Sequence, residues 1–106
     1  MNAYRWRMLT SPILFGLQGV LVLRNLRIDH TLFEGELIPV PLYRGARPVY
    51  VAVDSALPAG YDVQYNYDTG SLMLYKWDGL GWDVAETIPN TFNLRVLFIY
   101  ETVRAS

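Results

Sequence analysis

The chain's single histidine, His30, lies in Asp29-His30-Thr31. A histidine next to a carboxylate is the smallest unit that performs general-base chemistry, the acid orienting the ring. Neighbouring residues of an extended chain point to opposite faces, and no Gly-x-Ser-x-Gly elbow accompanies the pair. The expectation is therefore a turn histidine. The carboxylates fall in close pairs, Glu34/Glu36, Asp62/Asp68 and Asp78/Asp83. Glycoside hydrolysis needs two such groups facing one another across a cleft, for which so small a chain has little room. Turn-forming and solvated roles are expected instead. Asp78-Gly79-Leu80-Gly81-Trp82-Asp83 resembles a calcium loop in composition but lacks oxygen ligands at alternate positions. The chain has no cysteine, which removes thiolate metal sites, thiol nucleophiles and disulfides, and no glycine run links a strand to a helix as a phosphate loop would. The reading is a protein that is not an enzyme, with no catalytic, cofactor-binding or metal-binding residues and no cofactor.

What remains is chemistry of contact. Tyr61, Tyr65, Tyr67, Tyr75, Trp77 and Trp82 cluster within a short span. Exposed, they would form an aromatic platform for sugars or protein partners; buried, they would be the core face of a sheet. Arg5-Trp6-Arg7 pairs the two residue types most enriched at binding hot spots. Eight of the nine cations are arginine, the cation suited to fixed, forked contacts at interfaces. The candidate partner-binding residues are Arg5, Trp6, Arg7, Arg44, Arg47, Tyr65, Tyr67 and Trp77. Net charge is −1, so no global basic field exists to hold a nucleic acid, and nucleic acid is not expected as a partner.

The elements that must position these residues read as strands. Gly60 to Trp77 alternates large and polar residues around Asp68-Thr69-Gly70, the pattern of a β-hairpin. A three-residue loop there would set Tyr67 against Ser71, Tyr65 against Met73, Val63 against Tyr75 and Tyr61 against Trp77. Seven large side chains would then share one face, which is expected to be core, and Leu72 and Leu74 would lie on the more polar reverse face. Asp78 to Gly81 turns into a short returning strand, Trp82 to Ala85, completing a three-stranded meander. Residues 19–28 and 94–103 read as strands, with Leu94, Val96, Phe98 and Tyr100 on one face. Residues 48–53 form another, with Val49, Val51 and Val53 sharing a face, and Pro39 and Pro41 confine residues 36–43 to a sheet edge. Residues 1–12 form an N-terminal arm, either a short edge strand or an extended segment docking elsewhere, ahead of a single β domain over 13–106.

Met8 to Leu23 has the apolar character of an export signal, but Pro12, Gly16, Gln18 and Gly19 break it as a helix and it is short for a membrane span. It reads as strand and loop, with no membrane partner. A chain of 106 residues is one domain. No segment has a capped helical period. The fold class is all-β, a small antiparallel β-sandwich or barrel, jelly-roll-like, with an extended N-terminal arm. Hydrophobic residues make up 52% and charged residues 18%, below the usual charged share of about 25%. Either two inner sheet faces are unusually well filled, or a partner covers apolar surface.

The segment Gly60-Tyr61-Asp62-Val63, continuing through Tyr67-Asp68-Thr69-Gly70-Ser71-Leu72 to Tyr75, resembles the hairpins of head-decoration (cement) proteins of tailed bacteriophages. The resemblance covers about 20 residues, with the late strand Leu94–Tyr100 fitting more loosely. It implies a β-rich structural protein of the virion, seated on the capsid surface after assembly in the host cytoplasm. Its partners would be the major capsid protein or another virion protein, and copies of itself, with a trimer as one arrangement. A carbohydrate-binding β-module, or a tail or fibre component using an aromatic face, is the alternative.

Overall fold

The structure, a computed structural model, describes residues 3–15 and 19–101. Residues 1–2 of the expected arm, the Gly16 to Gln18 connection and residues 102–103 of the expected last strand lie outside the described residues. Among the described residues nine strands run in chain order: β1 (Tyr4–Met8), β2 (Ile13–Phe15), β3 (Gly19–Ile28), β4 (Ile38–Pro39), β5 (Tyr50–Val53), β6 (Tyr61–Asn66), β7 (Ser71–Trp77), β8 (Trp82–Val84) and β9 (Phe92–Glu101). No helix occurs among the described residues.

The strands form two antiparallel sheets. In the first, β3 and β9 pair along ten residues from Gly19↔Glu101 to Ile28↔Phe92. β5 flanks β9, while β1 and β2 share the other edge of β3. The second sheet is the meander β6-β7-β8, with β4 beside β8 on the same edge of β7. Both sheets keep open edges, so the architecture is a two-layer sandwich; a closed barrel would have none.

Alternation in β3 and β9 builds the core. Val20, Val22, Leu26 and Ile28 face inward opposite Tyr100, Phe98, Leu94 and Phe92. Leu72, Leu74 and Ile38 of the second sheet meet them from across the sandwich. Leu94, Val96 and Phe98 have no exposed surface, and burying such a side chain contributes about 1.5–3 kcal/mol. Two side chains bridge the layers at their polar tips. Trp6 Nε1 donates to the Pro39 carbonyl at 3.1 Å, and Tyr100 Oη donates to the Pro41 carbonyl at 2.5 Å. The prolines of the β4 region thus leave carbonyls free for the opposite sheet, and β4 is an edge of only two residues.

Two expectations are corrected. The β6–β7 hairpin pairs Asn66↔Ser71, Tyr65↔Leu72, Gln64↔Met73, Val63↔Leu74, Asp62↔Tyr75 and Tyr61↔Lys76. Its loop has four residues, Tyr67 to Gly70. The cause is Asn66, whose Oδ1 accepts the backbone N–H groups of Asp68 at 2.8 Å and Thr69 at 3.2 Å, while the Gly70 N–H closes on the Asn66 carbonyl at 2.8 Å. The turn starts one residue earlier than the letters Asp-Thr-Gly imply. A one-residue slip sends each side chain of one strand to the other face. Tyr61, Val63 and Tyr65 stay inward, but Met73, Tyr75 and Trp77 move outward, and Leu72 and Leu74 become core at 1% exposure each. Val49 is the second correction: it precedes β5 and is exposed, while Val51 and Val53 pack on the core.

Candidate interaction surfaces

Arg5-Trp6-Arg7 lies within β1, paired Arg5↔Arg27, Trp6↔Leu26 and Arg7↔Asn25. Of the two forms open to this segment, the described part is an edge strand. Alternation splits the three residues. Trp6 points into the sandwich, where its ring meets Phe98 edge-on at 5.4 Å and 63°, so it anchors the strand to the core. Arg5 and Arg7 are exposed on the outer face.

Arg44 and Arg47 have different tasks. Arg44 and Gly45 both have positive φ, 50° and 79°, and together they make the tight turn closed by Tyr43↔Ala46. The Arg44 guanidinium sits 5.6 Å from the Tyr43 ring centroid, a cation–π distance. Arg47 Nη1 donates to the Asp68 carbonyl at 2.9 Å. Its side chain lies against Gly70, where a Cβ would come within 2.7 Å of Arg47 Nε. Arg47 therefore clasps the β6–β7 loop, and glycine at 70 leaves the space for it.

The aromatic residues divide by face. Tyr65 is partly buried against the core, and desolvation pushes its phenol up; Tyr67, 4.5 Å away and edge-on, is 55% exposed. Trp77 and Trp82 pair across β7 and β8, each about half exposed, with rings 5.4 Å apart at 61°. Met73, Tyr75 and the exposed Leu37 and Val84 continue this outer face of the second sheet. A shallow depression of about 360 Å³ lies there, lined in part by Leu37, Gln64, Asn66, Tyr67, Met73 and Tyr75. Tyr67, Trp77 and Trp82 are exposed while Tyr65 is not, and both ring pairs are angled rather than coplanar.

The outer face of the first sheet joins Arg5 and Arg7, candidates from the sequence, to residues that were not candidates. It is laid out in rows across β1 or β2, β3, β9 and β5: Arg5-Arg27-Asn93, then Arg7-Asn25-Arg95, then Leu23-Leu97-Ala52, then Ile13-Leu21-Ile99-Tyr50. Leu9 joins the third row through a 3.1 Å hydrogen bond from its N–H to the Leu23 carbonyl. Two polar rows therefore pass into two apolar ones. Only the pairing of five strands, β1, β2, β3, β9 and β5, creates these rows. The one linear signal was the odd-numbered parity of Leu21, Leu23, Leu97 and Ile99, apolar on the face opposite the core.

The titratable clusters serve turns. Asp29 Oδ1 accepts from the Thr31 N–H at 2.9 Å and the Thr31 hydroxyl at 2.7 Å, and these bonds hold its carboxyl below the ordinary aspartate range. His30 Nδ1 lies 2.8 Å from Thr91 Oγ1, which also accepts the His30 backbone N–H at 3.1 Å. The knot ties the end of β3 to the start of β9. Asp78 Oδ1 accepts the N–H groups of Leu80 and Gly81, each at 2.8 Å. This lowers Asp78, while the facing Asp78 carboxyl raises Asp83. Among the described residues no group of three or more metal-ligating side chains is present and no helix is long and apolar enough to cross a membrane. Comparison of the chain with protein-family models, with curated proteins and with solved structures finds no match.

Proposed function

We propose that the chain is a structural protein of a tailed-phage virion, a head-decoration or cement protein that binds the outer capsid surface and bridges neighbouring shell subunits. The observation that carries this reading is apolar surface on both outer faces of one small sandwich. Ile13, Leu9 and Tyr50 are 44–58% exposed on the first sheet, and Leu37, Trp77, Trp82 and Val84 are 44–53% exposed on the second. A monomer rarely leaves two opposed sheet faces this apolar. A bridging protein needs at least two contact surfaces, and symmetric assembly multiplies weak ones. The hairpin resemblance supplies the location.

The test is cosedimentation of the purified chain with shells assembled from the major capsid protein of the same phage. Saturable binding at a fixed number of copies per shell subunit, with a raised shell melting temperature, is the expected result. A chain that stays in the supernatant at every shell concentration refutes the role.

The exposed Tyr67, Trp77 and Trp82 favour one further reading, glycan binding by the outer face of the second sheet. Stacking on tryptophan changes its emission, so titration with oligosaccharides tests it; unchanged fluorescence of the native chain and no shift on Trp77→Ala and Trp82→Ala count against it.

A further inference from the structure

Arg5 and Arg27 are direct cross-strand neighbours on a solvent-facing sheet surface. Like charges at that separation destabilise a sheet. Arg7 and Arg95 lie in the adjacent row on either side of Asn25. Lanes are about 5 Å apart and rows about 7 Å, so four guanidinium groups and the amides of Asn25 and Asn93 share one small plate. Two acids stand at its margin: Asp54 holds Arg95 at 2.7 Å, and Asp29 approaches Arg27 only to 3.9 Å. Arg5 and Arg7 have no ion pair among the described residues. The chain as a whole carries net charge −1, so this concentration of cations is local. Asp54 and Asp29 compensate Arg95 and Arg27 in part, and the charge on Arg5 and Arg7, which no acid among the described residues offsets, points to an external partner.

We propose that the outer face of the first sheet, through Arg5, Arg7 and Arg27 and the adjoining Leu23, Leu97 and Ile99, docks a protein segment that presents carboxylates beside apolar side chains. Charge complementarity defines the cationic half of the site. The apolar half selects a protein over a nucleic acid, since a phosphate backbone satisfies the arginines and leaves Leu23, Leu97 and Ile99 wet. The rows span about 400–500 Å², against about 800 Å² on each partner in a standard interface. One copy therefore binds weakly, and tight attachment comes from many copies on one lattice. The inference names the partner chemistry of the proposed virion role and rests on that role only for the partner's location.

Fluorescence anisotropy of four labelled probes tests the site: an amphipathic peptide of Glu, Leu and Ala, the same peptide with Lys for Glu, polyglutamate, and oligodeoxythymidine. The Glu/Leu/Ala peptide is expected to bind most tightly. Arg5→Glu with Arg7→Glu weakens it about tenfold or more, and Leu23→Ser with Leu97→Ser weakens it without changing the salt dependence. Circular dichroism and melting curves check that each variant folds; Arg5→Gln with Arg7→Gln serves where charge reversal does not. Equal binding of the Glu and Lys peptides, or polyglutamate or oligodeoxythymidine binding as tightly as the amphipathic peptide, overturns the proposal. So does concentration-dependent dimerisation abolished by the same variants, which assigns the face to a second copy. Shell cosedimentation separates the two claims. Unchanged shell binding by the Arg5/Arg7 variant sinks the docking site and leaves the virion role standing. Peptide binding at the plate by a chain that never binds shells does the reverse.

Discussion

Tyr100 joins three tasks in one side chain. It is 1% exposed, it packs against the Tyr43 ring at 5.5 Å, and its hydroxyl satisfies the Pro41 carbonyl across the sandwich. Burial pushes its phenol up to about 12 from 10.0. The fold therefore favours the protonated phenol. Its contribution is fully present below about pH 10 and is lost as pH rises toward 12. Tyr65, raised in the same direction by burial, adds to the effect. Tyr100→Phe is expected to cost about 1 kcal/mol at neutral pH and to make the alkaline loss of stability shallower. Urea melts of both proteins at neutral pH and above about pH 10 measure this; parallel alkaline limbs would refute the assignment. The residue types of a base and its orienter are present at Asp29-His30, but the carboxylate bonds to Thr31 and Thr91, in keeping with the turn expected from the sequence.

The element that decides which residues face solvent is the β6–β7 loop. Asn66 caps it from within, Gly70 closes it at φ 69°, and Arg47 lies across it. Gly70→Ala forces a left-handed conformation on a residue with a Cβ and pushes Arg47 off the Asp68 carbonyl. The expected loss is about 1–3 kcal/mol. Asn66→Ala leaves the Asp68 and Thr69 N–H groups to water and is expected to cost about 1 kcal/mol. Because the two substitutions act on one loop, their combined cost should fall short of the sum, which a double-mutant cycle by urea denaturation checks. Strict additivity would mean the loop is not one unit. The alternation in β6 and β7 was legible from sequence; its phase was not. The phase depends on a side-chain-to-backbone bond at Asn66 that competes with the turn the letters favour.

On the scale of the whole molecule, the sandwich has three apolar surfaces where a monomer needs one: the core and parts of both outer faces. The native chain is expected to bind a hydrophobic dye such as ANS without unfolding. Ile99→Lys and Trp82→Lys should each reduce that signal, and together nearly abolish it, with melting temperatures shifted by no more than a surface substitution produces, about 0.5 kcal/mol in stability. Absence of dye binding by the native chain would show that the exposed side chains do not form continuous patches. This surplus explains the composition. Of the two accounts of its 52% hydrophobic content, filled inner faces hold for Leu26, Leu94 and Phe98, and Ile13, Tyr50, Trp77 and Trp82 remain outside on either sheet.

The sequence by itself determined the all-β class, the strand β3 with its observed limits, the inward face of Leu94, Val96, Phe98 and Tyr100, and the edge position of the proline segment. Each of these depends on local alternation or on a missing N–H, properties a strand carries with it. Tertiary structure alone decided the hairpin phase, the inward turn of Trp6, the use of Arg47 as a clasp, and the meeting of Arg5, Arg7, Arg27 and Arg95 on one surface. Those four arginines come from three segments, and only the pairing of β1 and β9 on either side of β3 brings them together. Cross-strand neighbours are set by register, and register is a property of the assembled sheet.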